Sequence, residues 1–179
     1  MSFLAPSDFT GKVAQSVNKF TEPKLQEYID RYEPIYLRSL LGVTLYDEFV
    51  ADLDTAPNIT PASVPTSPRF TAIFQPFQID ESIGNGSQYI SEGFKEMLKL
   101  FIMMEYSRDN QFVFGITGAT SNNYSNSELL SLSRTQSREN FNKGVKSWHA
   151  IQWYIDIENP NDYDYTNYNG QHKDFISWL

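Results

Sequence analysis

The stretch SEGFKEMLKLFIMMEYSRDN (residues 91–110) is the strongest helical signal in this chain of 179 residues. Ser91 can cap its amino terminus, because a serine hydroxyl accepts a hydrogen bond from a free amide of the first turn. Residues at the 3.6-residue helical spacing are Phe94, Met97, Leu98, Phe101, Met104 and Glu105. Ile102 and Met103 lie between them and make the helix apolar on nearly every side. Such a helix is buried on several sides, within the fold or against another subunit, and we predict a central helix over residues 89–110.

The segment that follows, residues 111–127, has no charged side chain, whereas 20% of the whole chain is charged. QFVFGIT (residues 111–117) alternates two phenylalanines and an isoleucine with a second set of residues, as a β-strand does. We predict a turn at Gly118 and Ala119 and a polar return strand in TSNNYSN (residues 120–126). The sequence thus predicts a β-hairpin arm.

This hairpin arm would expose an aromatic face, and an isolated two-stranded hairpin is marginally stable in water. One interpretation is that each arm pairs with a neighbouring subunit by strand addition, which removes the open edges around a closed ring. The alternative is a hairpin that folds back on its own domain. Candidate contacts in the arm are Phe112, Val113, Phe114, Ile116 and Tyr124.

Helices are predicted on both sides of this central region. TEPKLQEYID (residues 21–30) has the capping residue and the first-turn proline of a helix start. Pro34 is expected to break or kink this helix and Gly42 to end the next segment, so that residues 1–53 supply a broken layer of amino-terminal helices. A long final helix is expected over residues 128–159.

Residues 54–88 differ in character, because four prolines fall between residues 57 and 68. Proline and the residue before it disfavour a regular helix, so we predict an extended insertion. RFTAIFQPFQI (residues 69–79) has the composition of a short strand or a packed loop, and GNG (residues 84–86) that of a tight turn. A long irregular insertion is often functional, and the alternative is a surface decoration.

The tail, residues 160–179, is acidic and rich in tyrosine. Because tyrosine and tryptophan are common anchors at interfaces, we predict a strap that docks on a partner. Its candidate contacts are Tyr163, Tyr165, Tyr168, Phe175 and Trp178. The sequence has no internal repeat, and its length suits a single domain over residues 1–179.

The net charge of −8 and the lack of a basic segment argue against nucleic-acid binding, since such proteins neutralise phosphates with clustered Lys and Arg. An acidic surface past which DNA moves without adhering is compatible with this charge. No apolar run approaches the roughly 18 residues that cross a bilayer, and the first residues lack the features of a secretory signal. The absence of cysteine excludes disulfides and thiol catalysis. We therefore expect a soluble protein that is synthesised inside a cell and does not associate with a membrane.

No familiar catalytic pattern is present: the sequence has no P-loop, no GxSxG serine motif and no HExxH metal motif. Its two histidines, His149 and His172, are too few for a zinc site without cysteine, and a packed or surface position explains His149 more simply. Asp162 and Asp164 are of a type that binds calcium, but no EF-hand loop follows, and a solvated acidic turn explains them better. We expect no enzymatic activity, no metal and no cofactor.

The stretch YEPIYLRSLLGVTLYDEF (residues 32–49) resembles the YLxPLLGxxLYxxL signature of head–tail connector proteins of tailed bacteriophages, with the crAss-like phages of Bacteroides-like hosts as the nearest group. The matching residues are Tyr36, Leu37, Leu40, Leu41, Gly42, Leu45, Tyr46 and Phe49. Ser39 replaces the proline that the signature has before its leucines. TGATSNNYSNSELLS (residues 117–131) is similar to the hairpin and following helix start of that family. NKGVKSWHAIQWYIDIENP (residues 142–160) is similar to its last helix.

The resemblance implies a mainly helical connector fold of four helices, to which this chain adds the Pro-rich insertion. It also implies a structural virion protein, made in the host cytoplasm, that assembles into a ring in the phage neck between portal and tail, usually as twelve copies. The implied partners are further copies of the chain, the portal protein and other neck or tail proteins. DNA would pass through the ring without specific binding.

Two alternatives stay open. The first is a monomeric adaptor that captures a protein partner with its uncharged hairpin. The second is an enzyme of unfamiliar type that uses Asp, Glu and Tyr side chains. A stable monomer would favour the adaptor, and a pocket that gathers carboxylates from separate helices would favour the enzyme.

Overall fold

The computed structural model describes residues 2–10, 22–53, 64–80, 88–110, 112–115, 118–121, 127–158, 162–163 and 170–175. Within these residues the protein is mainly α-helical, as predicted, with four α-helices and two β-hairpins. The helices are α1 (Glu22–Asp52), α2 (Pro68–Phe74), α3 (Gly93–Asn110) and α4 (Ser127–Trp153), and α4 continues as a π-helical turn (Tyr154–Glu158). The strands are β1 (Phe77–Asp80), β2 (Gln88–Ser91), β3 (Phe112–Gly115) and β4 (Gly118–Ser121).

Helix α1 consists of two helical segments that meet at Gly42. This glycine has φ 76° and ψ 172°, a backbone conformation that residues with a Cβ rarely adopt. The predicted break at Gly42 is therefore confirmed. A break at Pro34 is excluded, because the helix continues through this residue, and a kink there stays a prediction. Ile29 and Tyr36 are buried on either side of the proline and hold both turns against the core. Their burial offsets the loss of the hydrogen bond that proline cannot donate.

Helix α3 is the centre of the packing and contacts α1, α2 and α4. Its fully buried side chains include Phe94, Met97, Leu98, Phe101 and Ile102. Aromatic contacts join it to both long helices: the ring centroids of Phe94 and Phe49 are 5.4 Å apart, and those of Phe101 and Trp148 are 5.9 Å apart. The predicted burial of this helix on several sides is confirmed, and the covering surfaces belong to its own domain.

The insertion is more regular than its prolines suggest. Pro68 is the first residue of α2, where proline costs no hydrogen bond because the first amides of a helix lack an internal partner. The Asp52 carboxylate fixes the preceding turn by accepting hydrogen bonds from the amides of Thr66 and Ser67 at 2.9 to 3.1 Å. The expectation of a strand or loop is therefore wrong for α2 and correct for β1. The tight turn predicted at residues 84–86 lies outside the described residues.

The first hairpin pairs β1 with β2 in antiparallel register, with Phe77 opposite Ser91. It packs along α4, where the Tyr89 ring stacks on Trp153 with centroids 5.1 Å apart. The Ser91 hydroxyl accepts a hydrogen bond of 3.0 Å from the Gly93 amide at the start of α3. Ser91 is the last residue of β2 and not the N-cap of α3, so the central helix begins later than predicted.

The amino-terminal segment (residues 2–10) is anchored on α1 by a buried carboxylate. Glu33 is 3% exposed and accepts hydrogen bonds from the amides of Phe3 and Leu4, each at 3.1 Å. The Ser2 hydroxyl donates a third hydrogen bond to it at 2.7 Å. Burial raises the pKa of Glu33 to about 7, although these three hydrogen bonds act in the opposite direction.

Candidate functional site

The predicted hairpin arm forms from β3 and β4, which pair from Phe112 opposite Ser121 to Gly115 opposite Gly118. This register places the connection at residues 116–117, outside the described residues. The turn predicted at Gly118 and Ala119 is therefore wrong, because both residues belong to β4. A connection of two residues is the commonest kind in hairpins. Within the described ranges, no third strand pairs with either strand of the arm.

The two hairpins have strands of equal length, four residues each, and the first one lies along α4. Among the residues that the structure describes, the arm contacts the end of α3, which leads into it.

The predicted contact residues of the arm and tail fall into three groups. Phe112, Val113 and Phe114 lie in β3, whose backbone is described. Outside the described residues are Ile116, Tyr124, Tyr165, Tyr168 and Trp178. Phe175 is 50% exposed, which leaves its ring accessible to a partner. The role of these residues as contacts stays a prediction.

Tyr163 is the exception, because its side chain belongs to the core of its own domain. It is only 3% exposed, and its ring lies 6.3 Å from that of Phe70. Its hydroxyl donates a hydrogen bond of 2.6 Å to the carbonyl of Arg69. The prediction of Tyr163 as a partner contact is therefore wrong. The neighbouring Asp162 is exposed, and Asp164 lies outside the described residues.

The described end of the tail, residues 170–175, is bound to its own chain, and its docking on a partner stays a prediction. The Gln171 amide donates a hydrogen bond of 2.9 Å to the carbonyl of Ser39 on α1. The Gln171 carbonyl accepts hydrogen bonds from Trp148 Nε1 at 2.9 Å and from Gln152 Nε2 at 3.1 Å, both on α4. We name the surface that receives the strap the tail groove; it is formed by Tyr36, Ser39, Phe101, Trp148, His149 and Gln152.

The Lys173 side chain enters an aromatic cage in this groove. Its ammonium nitrogen lies 4.4 Å from the ring centroid of Tyr36, 4.9 Å from that of Phe101 and 4.7 Å from that of Trp148. A cation held over aromatic faces is attracted to their π-electrons, by up to about 2 kcal/mol when it is desolvated. Burial lowers the pKa of Lys173, and the nearby carboxylate of Glu105 opposes this effect.

Glu105 gives the cage an anionic side. Its Oε1 accepts a hydrogen bond of 2.7 Å from the Tyr36 hydroxyl, and its Oε2 forms an ion pair of 2.5 Å with Arg108 without an aligned hydrogen bond. Burial, together with the hydrogen bond to Glu105, raises the pKa of Tyr36 well above its ordinary value, so the hydroxyl remains a donor. Aromatic faces beside a fixed carboxylate are suited to an alkylammonium group.

The two histidines of the chain stack against each other at the edge of the groove, with ring centroids 5.1 Å apart and an angle of 13° between the rings. His149 Nε2 lies 2.8 Å from the carbonyl of Lys173; because a carbonyl can only accept, this nitrogen carries the proton. Burial lowers the pKa of His149, and the proximity of His172 lowers it further. The packed position predicted for His149 is thus observed, and it serves to bind the tail.

The sequence patterns did not reveal the tail groove. They place Phe101 and Trp148 in apolar helical stripes and Glu105 at a helical position, and they assign no role to Lys173. One signal was available, since Lys173 is the only Lys or Arg among residues 160–179. A single cation in an acidic, aromatic segment has few partners other than aromatic rings and carboxylates.

The residues that match the connector signature lie in or beside the hydrophobic core. Those that are buried are Tyr36, Leu37, Leu40, Leu41, Gly42, Leu45 and Phe49. Tyr46 is half-buried, with the Arg38 guanidinium 4.8 Å from its ring centroid. Tyr36 alone among them also lines the tail groove.

The described residues contain no group of three or more His, Asp or Glu side chains placed to hold a metal ion. None of the helices in those same ranges combines the length and the apolar character needed to cross a membrane. A scan against protein-family models finds no match, and no curated protein or solved structure matches the chain either.

Proposed function

We propose that this protein is a structural virion protein that forms a ring in the neck of a tailed phage, between the portal and the tail. The observation that carries the proposal is the hairpin arm. Residues 110 to 127, which include the arm, are uncharged. The two strands of the arm pair only with each other in the described part of the chain.

An unpaired strand edge favours association, because its free amides and carbonyls can extend the sheet of another chain. A monomer with such an arm is prone to aggregate unless the edge is satisfied. When the same head-to-tail contact repeats around an axis and the ring closes, every arm gains a partner. The uncharged sequence supports this interpretation, since no like charges oppose the approach of two arms.

The connector signature supports the same function by its resemblance alone, and most of its residues are buried in the hydrophobic core. The net charge of −8 suits a channel through which DNA passes without specific binding. We propose the portal protein and other neck or tail proteins as further partners, the virion neck as the location, and a role without enzymatic activity or cofactor. Tight, salt-sensitive DNA binding by the purified protein would contradict the proposed channel.

The experiment is native mass spectrometry of the purified protein, alone and after addition of its candidate portal protein. We expect a ring-sized species, of about a dozen copies, in at least one of the two samples. Replacing Phe112 and Phe114 by serine should abolish this species and leave the helical circular dichroism unchanged. Ile90→Ser is the matched control: Ile90 is 51% exposed on the packed first hairpin, so its loss should not alter assembly.

Assembly that survives the double substitution would exclude the arm as the contact between subunits. A monomer that ignores the portal protein would contradict the ring and favour the adaptor, in which the arm binds a different protein. The helical signal separates both results from simple misfolding.

A further inference from the structure

The contacts of the tail with its groove are those of a bound peptide. Gln171 is held through its main-chain amide and carbonyl, and Lys173 through its main-chain carbonyl. The side chains of Gln171, His172, Asp174 and Phe175 are exposed, and Lys173 is the residue whose side chain enters the protein. The groove therefore recognises an extended backbone and one ammonium group, and His149 adds ring contacts with His172 and Phe175 at its edge.

Nothing in these contacts depends on the segment being attached to the same chain. The donors and acceptors in the groove belong to α1 and α4, and the cage rings belong to α1, α3 and α4. A second copy carries the same extended segment with the same lysine, so its tail can make the same hydrogen bonds and cation–π contacts with the groove. Exchange of identical elements between subunits has a low energetic cost for this reason.

We propose that residues 170–175 are an exchangeable ligand and that, when copies of the protein associate, the tail of one copy occupies the groove of the next. Lys173 in the cage of Tyr36, Phe101 and Trp148 fixes the register, because it is the one lysine or arginine of the tail. The second copy is preferred over another lysine-bearing protein because its segment is known to fit. The inference rests on the association of copies in the proposed function, but not on the location of the protein in a virion.

The absence of cysteine from the chain allows a direct test with the full-length protein. One chain carries Ser39→Cys and a second, mass-tagged chain carries Gln171→Cys; the two positions are joined by a main-chain hydrogen bond of 2.9 Å. The chains are mixed, incubated with the portal protein, treated with a short bismaleimide cross-linker and separated by mass. A chain with both cysteines shows that the geometry permits the link.

We expect a covalent pair of tagged and untagged chains. Adding Lys173→Ala to the tagged chain should lower its yield by about tenfold, which corresponds to the loss of about 1.4 kcal/mol of cation–π attraction. Val43→Cys, on an exposed position of α1, replaces Ser39→Cys as the control for random collision and should give little product.

The outcomes separate this inference from the proposed function. If native mass spectrometry shows a ring but the link forms only within single chains, tail exchange is wrong and the ring stands. If the link joins two chains in a species no larger than a dimer, exchange stands and the ring is wrong. If the double-cysteine chain forms no internal link and no pair appears, the groove contact itself is wrong.

Discussion

The amino-terminal segment (residues 2–10) and the tail segment (residues 170–175) are both bound to α1, the first at Glu33 and the second at Tyr36 and Ser39. At Glu33 the helix presents a buried carboxyl group that accepts hydrogen bonds from the main chain of the segment. At the tail groove the segment instead presents a cation, and the helices supply aromatic rings beside a carboxylate.

The two segments differ further in how much of them is buried. Phe3, Leu4 and Phe9 are at most 3% exposed and belong to the main hydrophobic core. The tail segment buries mainly one side chain, and its other side chains face solvent. Apolar burial contributes about 1.5–3 kcal/mol for each large side chain, so the first segment leaves only when the domain unfolds, whereas the second can open locally.

The largest effect is expected from Phe3→Ala. The Phe3 ring packs 5.9 Å from Phe49 and 5.5 Å from Phe74, so its loss leaves a cavity at the centre of the core. We expect the free energy of global unfolding in urea to fall by about 3–5 kcal/mol. The same truncation at the exposed Phe175 is the matched control and should change it by less than about 0.5 kcal/mol. Equal losses of unfolding free energy at both positions would mean that the two segments contribute equally to global stability.

The second prediction concerns the effect of pH on the Glu33 carboxyl group, which binds the amino-terminal segment. The pKa of Glu33 is about 7 in the folded protein and 4.5 ordinarily, so between these values the folded state binds more protons than the unfolded state. Global stability should therefore fall as pH rises from about 4.5 to 7, by on the order of 3 kcal/mol from this group.

Glu33→Gln should remove this fall, which is measured by urea unfolding at a series of pH values. Glu27→Gln, on an exposed position of the same helix, controls for the loss of one negative charge. A Glu33→Gln profile parallel to that of the unmodified protein would show that Glu33 does not titrate in this range.

Local sequence signals predicted the elements whose conformation is set by residues that are close together in the sequence. Gly42 ends a helical segment because only glycine adopts its backbone conformation easily, and the alternating residues after Gln111 form a strand because alternation is a property of the strand itself. The hydrophobic period likewise located the long final helix, which runs from Ser127 through the π-helical turn to Glu158.

The errors arise where distant contacts override local preference. Pro34 stays within a helix because the core holds both flanking turns, and Pro68 starts a helix that Asp52, 16 positions earlier, helps to fix. Lys173 meets rings that are 25 to 137 positions away along the chain. No periodicity or motif encodes such a pairing, so the tail groove required the structure.

The smallest effect is expected from Lys173, and it should be local. Removing the ammonium by Lys173→Ala should weaken docking of the tail segment by about 1–2 kcal/mol, because the cation–π contacts are lost. The Gln171 amide, which donates to Ser39, should then exchange its hydrogen for deuterium roughly 5 to 30 times faster. Global stability in urea should hardly change, in contrast with Phe3→Ala.

Lys173→Met is the matched control, since methionine keeps most of the length and apolar contact of lysine and removes the charge. If attraction between the cation and the rings holds the tail, the Gln171 amide of this variant should exchange faster than in the unmodified protein and more slowly than in Lys173→Ala. Full protection in Lys173→Met would mean that apolar packing alone binds the tail. The cage would then select for shape, and the register of the tail would follow from side-chain length and the main-chain hydrogen bonds instead of charge.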